Sequence, residues 1–171
     1  RLLGDYIRRM GHERVVFVGV TEKDRAVGVE RKDGFSEIFT RGNRGASVSF
    51  VETEFGIEAS YHKSGEILAR RPSAVVCATD GIAFGVMRAL HENGIAVPGE
   101  VSVAGFGGYD MGAVTYPPLT TVAFDYEELG RRAARMLLRM LSAEIVESVS
   151  DFPAQLIERG SVNKVLWGSE G

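Results

Sequence analysis

Hydrophobic and polar residues alternate along this chain in two periods, and the two periods take turns. Leu2, Leu3, Tyr6, Ile7 and Met10 recur at helical spacing, and Gly11 stands where a helix takes a left-handed stop, which predicts a first helix. Val15 to Val20 is a run rich in β-branched residues that fits a strand buried on both faces. A helix is expected over Ala26 to Thr40, with Val27, Phe35, Ile38 and Phe39 as its apolar positions. Ser47 to Val51 then reads as a strand, Ser60 to Arg70 as a helix and Ala74 to Cys77 as a strand. Ile82 to Asn93 follows as a helix stopped by Gly94, and Val101 to Ala104 as a strand. Four such alternations argue for an α/β protein with a doubly wound parallel sheet, its right-handed crossovers placing helices on both faces.

The pattern changes after Phe106. A glycine-rich loop and Pro117-Pro118 lead into Leu119 to Phe124, an amphipathic helix from Tyr126 to Leu141, and an extended Phe152 to Ile157. The long helix sets Leu129, Met136, Leu137 and Met140 against arginines 131, 132, 135 and 139, so its apolar stripe needs a partner surface. Four strands already make a complete sheet, and this helix is expected to belong to another lobe. The tail from Asn163 is expected to be loosely held. In the helix Ile82 to Asn93, apolar residues spread over more than one face, which predicts a second apolar surface and hence a partner.

Length fits one domain, or one and a fragment: 171 residues bury a sizeable core without staples. The single cysteine forms no internal bridge, and His12, His62 and His91 are scattered, so neither a disulfide framework nor a metal site is expected. A reducing cytoplasm is the simplest home. The net charge of -3 leaves no basic stripe for phosphates, and this chain alone is not expected to grip nucleic acid. Its apolar runs fall far short of the roughly 20 residues that span a bilayer. The chain opens Arg1-Leu2-Leu3 without a methionine or signal-peptide architecture, and more chain is expected upstream. Glycine is in excess, 21 residues, and falls mostly after apolar runs, as tight strand-to-helix turns require.

In open α/β sheets ligands bind beyond the carboxyl ends of the strands. Those ends carry Glu22 to Arg25, Glu52 to Phe55, Thr79 and Asp80, and Phe106 to Asp110. Hydrogen-bonding groups interleaved with aromatics suit a polyhydroxylated ligand. Gly105 to Asp110 begins like a dinucleotide turn, but Asp110 takes the third glycine's place and no helical run follows. No nucleophile elbow or phosphate loop occurs, His62 reads as a solvated helix residue, and Cys77 as a small hydrophobe within a strand. The acids Glu22, Asp24, Glu52 and Glu54 read as loop carboxylates. No enzyme, cofactor or metal is expected.

Four motifs, in order, resemble the LacI/GalR family of transcription repressors: Arg31-Lys32-Asp33-Gly34-Phe35 six residues after Arg25, Ala78 to Gly85, Ile95 to Phe106, and Pro117 to Val122. The resemblance runs from about Gly4 to Asn163. It implies the carboxyl-terminal lobe of a periplasmic-binding-protein-like sugar domain over residues 1–122, a helix of the amino-terminal lobe over 123–143, a return over 144–165 and a tail over 166–171. It further implies that Arg31 hydrogen-bonds the effector, with Arg25 a second arginine, Phe55 a cover, Thr79 and Asp80 a polar pair, and Gly107, Tyr109 and Phe124 around them. Ala83, Phe84, Met87, Arg88, Met111 and Thr115 are the residues implied for a homodimer contact. Operator DNA is expected only through an amino-terminal domain absent from this chain. Gly107-Gly108 departs from the family, whose members commonly have an acid there. That departure is expected to enlarge the site and, with aromatic walls, to favour a disaccharide or its phosphate. Phe106 to Asp110 and Phe124 to Tyr126 look most like the sucrose and trehalose operon repressors. Two alternatives stay open: a periplasmic sugar receptor of the same architecture, and a flavodoxin-like enzyme.

Overall fold

The computed structural model describes residues 1–43, 45–146 and 152–165. Among the described residues six strands form one sheet in the order β2-β1-β3-β4-β5-β6: β1 Arg14–Gly19, β2 Ser47–Glu52, β3 Ala74–Cys77, β4 Ser102–Gly107, β5 Thr120–Phe124 and β6 Ala154–Ile157. The first five run parallel, and β6 closes the edge antiparallel to β5. The sheet is thus two strands wider than the four-strand alternation alone requires, because β5 and the extended segment after the long helix both join it.

The helices are α1 Leu2–Arg9, α2 Arg31–Thr40, α3 Ile57–Tyr61, α4 Ser64–Leu68, α5 Asp80–Glu92, α6 Met111–Val114 and α7 Tyr126–Leu141. Helices α1 and α2 pack together, and α3 and α4 pack on α5. Right-handed crossovers from β1 to β2 and then back across β1 to β3 put these two groups on opposite faces. Between the sheet and α1–α2 lie Leu3, Ile7, Phe17, Phe35 and Phe39, all fully buried. Phe35 stacks on Phe39 at 5.3 Å and meets Phe17 at 5.8 Å. Truncating a ring in such a cluster costs about 3–5 kcal/mol.

Three expectations need correction. The helix expected over Ala26 to Thr40 begins as a π-turn, Arg25–Glu30, with Asp24 accepting from the Val27 N–H, and becomes α-helical only at Arg31. The helix expected over Ser60 to Arg70 is two short ones. The Ser60 hydroxyl bonds back to the carbonyls of Gly56 and Ile57, and the Lys63 N–H turns to Ser60, which tightens and ends α3. Asn163 to Val165 are held rather than loose: the Asn163 N–H donates to Ser102, its carbonyl meets His12, and the Val165 N–H donates to Met10. Residues 166–171 lie outside the described residues.

The breadth of apolar positions on α5 has an internal explanation. Helix α3 covers the face away from the sheet, so closely that a Cβ on Gly85 would lie 2.1 Å from the Ile57 carbonyl oxygen. Ala83, Phe84 and Met87 are therefore buried within this chain. Helix α7 is the reverse case. It buries no residue, and Leu129, Leu137, Leu138 and Met140 are exposed. Among the described residues no helix is long and apolar enough to cross a membrane.

Candidate ligand-binding site

The connections leaving the adjacent strands β1 and β3 run to opposite sides of the sheet, to β2 and β4, so the crevice beyond the carboxyl ends of β1 and β3 is the expected ligand position. Arg31 is delivered there by the π-turn, since it opens α2 directly after it. Its Nη1 donates to the Ala78 carbonyl at the end of β3, 2.6 Å away. The guanidinium also lies 5.6 Å from the ring centres of both Phe106 and Phe124, at the ends of β4 and β5. Burial pushes the Arg31 pKa down, opposed by the nearby Tyr126 and Tyr109 and then by Asp24 and Asp80. Among the described residues Arg31 has no carboxylate within ion-pair distance. Among the described residues only one of its five N–H groups is engaged, and the others are able to donate.

Aromatic rings frame this cation. Tyr126 lies 6.1 Å from Phe124 and 6.4 Å from Tyr109, while Phe106 is nearly buried. Along the other side, beyond β1 and β2, a groove of about 890 Å³ is lined by Thr21, Lys23, Asp24, Thr53, Phe55 and Lys63, among others. The Phe55 ring is exposed over it, at 56 %.

The remaining candidates divide. Arg25 does not join Arg31: its side chain is 88% exposed and pairs with Glu30 at 3.1 Å. Thr79 caps α5 by accepting from the Ile82 N–H. Asp80 is fully buried, with one oxygen on the Thr121 hydroxyl at 2.6 Å and the other on the Tyr109 N–H at 2.9 Å. Asp125 caps α7 through the Glu128 N–H. Asp24, Asp80 and Asp125 are thus each engaged in holding backbone or side chains.

The glycine pair does not enlarge the site. A Cβ on Gly108 would lie 2.4 Å from that of Ala123, and one on Gly107 would lie 3.1 Å from the Tyr109 ring. Gly108 has φ +74°, so the pair lets the turn close onto β5 instead of leaving room. Thr121 and Tyr126 are site-forming residues that the sequence patterns did not single out. The adjacent Thr120 and Thr121 in an otherwise apolar strand were the available signal, because buried hydroxyls need partners. Among the described residues, no three His, Cys, Asp or Glu side chains converge as metal ligands. Cys77 is buried, and its thiol pKa is pushed well up by that burial.

A family model described as a periplasmic binding protein-like domain matches residues 5–162. The chain is 28% identical over 174 residues to the arabinose metabolism transcriptional repressor of Geobacillus stearothermophilus, which covers 96% of this chain and 47% of that protein. It is 34% identical over 160 residues to the HTH-type transcriptional regulator MalR of Streptomyces coelicolor, covering 89% and 46%. A LacI family transcriptional regulator from Enterococcus faecalis, solved with bound ribose, superposes with a TM-score of 0.87 at 30% identity, covering 96% of this chain and 60% of that one. The chain spans about half the length of the curated relatives it matches.

Proposed function

Given that this chain belongs to the periplasmic binding protein-like domain family, of the type found in LacI/GalR transcriptional regulators, we propose that it is the carboxyl-terminal lobe of a regulator's sugar-effector domain. In this reading it binds and does no chemistry, needs no cofactor, and acts in the cytoplasm. The observation that carries it is Arg31, a desolvated guanidinium with spare donors set between two aromatic faces. Sugars offer such a site both acceptor oxygens and an apolar ring face.

Residues 1–124 and 144–165 form this lobe, because Ala123 and Phe124 complete β5 rather than leaving the sheet at 122, and α7 belongs to the partner lobe, which accounts for a helix that buries nothing here. The effector closes the cleft between lobes, and the change of orientation reaches operator DNA through the amino-terminal part of the regulator. That mechanism requires the effector to bind one orientation more tightly than the other. Two copies pair through α5 and the α6 loop, where Arg88, Met111 and Thr115 join exposed Val114 and Tyr116.

For the effector we put a disaccharide or its phosphate ahead of a single sugar ring. Phe55 beyond β2 and Phe124 beyond β5 stand four inter-strand steps apart, about 19 Å, a separation that suits more than one sugar ring. The likeness of Phe124-Asp125-Tyr126 to sucrose and trehalose operon repressors points the same way. A thermal-shift panel of sucrose, trehalose, their 6-phosphates, glucose, ribose and a purine decides it. A shift confined to the purine, or none with any sugar in the full-length regulator, overturns this reading.

A further inference from the structure

We propose that Asp80 is a positioning residue that ties the wall of the sugar site to both elements of the subunit contact, an inference that rests on the function just proposed. Asp80 opens α5, and its carboxylate is fully buried. One oxygen accepts from the Thr121 hydroxyl in β5, at 2.6 Å, and the other from the Tyr109 N–H in the turn after β4, at 2.9 Å. Thr121 in turn accepts from the Gly108 N–H at 3.3 Å, so the turn is held at two successive residues. The carboxylate sits in space that only glycine leaves: a Cβ on Gly105 would lie 2.4 Å from the Asp80 oxygen.

Tyr109 is the pivot. Its ring stands 6.4 Å from Tyr126 in the aromatic frame around Arg31. Its carbonyl accepts from the Gly112 N–H at 2.9 Å, which fixes the first turn of α6. One side chain therefore joins the start of α5, the middle of β5 and the entry to α6. Of the residues of the proposed contact, exposed Arg88 lies on α5, and Met111 and Thr115 lie on or beside α6. A sugar that presses on Tyr109 thus moves α6 relative to α5 only against the bonds to Asp80. Two bonds accepted by one buried carboxyl group hold the turn and β5 to the start of α5 at the same point.

The test is residue-resolved amide exchange on the whole protein for wild type, Asp80→Ala, Asp80→Asn, Thr121→Val and Thr121→Ser. Asp80→Ala and Thr121→Val should speed exchange at Tyr109 and Gly112 by about 10-fold or more, while the interior amides of β3 and α5 stay protected. Asp80→Asn and Thr121→Ser should restore protection, since an amide oxygen still accepts from Tyr109 and a serine hydroxyl still donates. Should Asp80→Ala fail to fold, Thr121→Val decides alone. Unchanged Tyr109 exchange, or exchange that rises only together with β3 and α5, overturns the proposal. Sedimentation and the sugar panel run in parallel. A wild type that is monomeric and ignores every sugar removes the function proposed above, whereas Tyr109 exchange still decides whether Asp80 positions the turn.

Discussion

Arg31 donates to the carbonyl of Ala78, a residue 47 positions away that ends a fully buried strand, and this bond aims a cation at the crevice of the sheet. In the full-length regulator, Arg31→Ala should weaken effector binding by about 1.5–3 kcal/mol, roughly 10-fold to 150-fold. Arg25→Ala serves as the control, because its exposed ion pair with Glu30 lies outside the crevice. Calorimetry with the sugar that gives the largest thermal shift measures both. Equal losses for the two variants would remove Arg31 from its special place.

The isolated chain should bind that sugar poorly. A cleft between two lobes takes about half its contacts from each, and burial lost on one side weakens affinity by several kcal/mol. Sub-micromolar affinity of residues 1–171 in calorimetry would contradict the two-lobe reading.

Self-association should depend on α6 and not on the buried face of α5. Val114 and Tyr116 project from this chain, at 82% and fully exposed, whereas Phe84 is already covered. Val114→Asp and Tyr116→Asp are expected to give monomers in sedimentation at tens of micromolar with unchanged secondary structure by circular dichroism. Phe84→Asp instead buries a charge and should unfold the chain. A wild type that sediments only as monomer at that concentration sinks the contact.

Stability should fall with acid through His12. Its ring is buried between the Ser73 hydroxyl and the Asn163 carbonyl, and burial lowers its pKa from the ordinary 6.5, partly offset by the Asn163 bond. The unfolded chain therefore takes up the proton first, so this contribution is complete above pH 6.5 and is lost as pH drops toward the folded value. Urea midpoints at pH 7.5 and 5.5 should differ in wild type, and differ less in His12→Gln.

How much of this was legible in the sequence follows from how local each signal is. Strands β1 and β3 declare themselves because buried parallel strands are continuous β-branched runs, and α7 because its period holds for sixteen residues. The π-turn before Arg31 is invisible to a 3.6-residue template, yet it separates Arg25 from Arg31. The break between α3 and α4 depends on where one serine hydroxyl points. Asp80 and Thr121 lie 41 positions apart, and only the crossing of β3, β4 and β5 brings them together. Hydrophobic period thus reports the layers, whereas the site is assembled from loop ends whose partners are distant in sequence.

Two glycines that look alike in sequence should respond oppositely to alanine. Gly108 has φ +74°, and a Cβ there would meet the Cβ of Ala123 at 2.4 Å. Gly108→Ala combines backbone strain with a collision against β5, and should destabilise by about 1–3 kcal/mol. Gly65 lies in α4 with nothing within 4 Å of the added carbon. Gly65→Ala should stabilise by about 0.5–1 kcal/mol, because alanine has less conformational freedom to lose on entering a helix. Urea unfolding of the two variants measures both signs. If Gly108→Ala leaves the midpoint where it is, the turn is not closed onto β5, and the tight glycine pair is removed as the reason that no acid occupies this strand end.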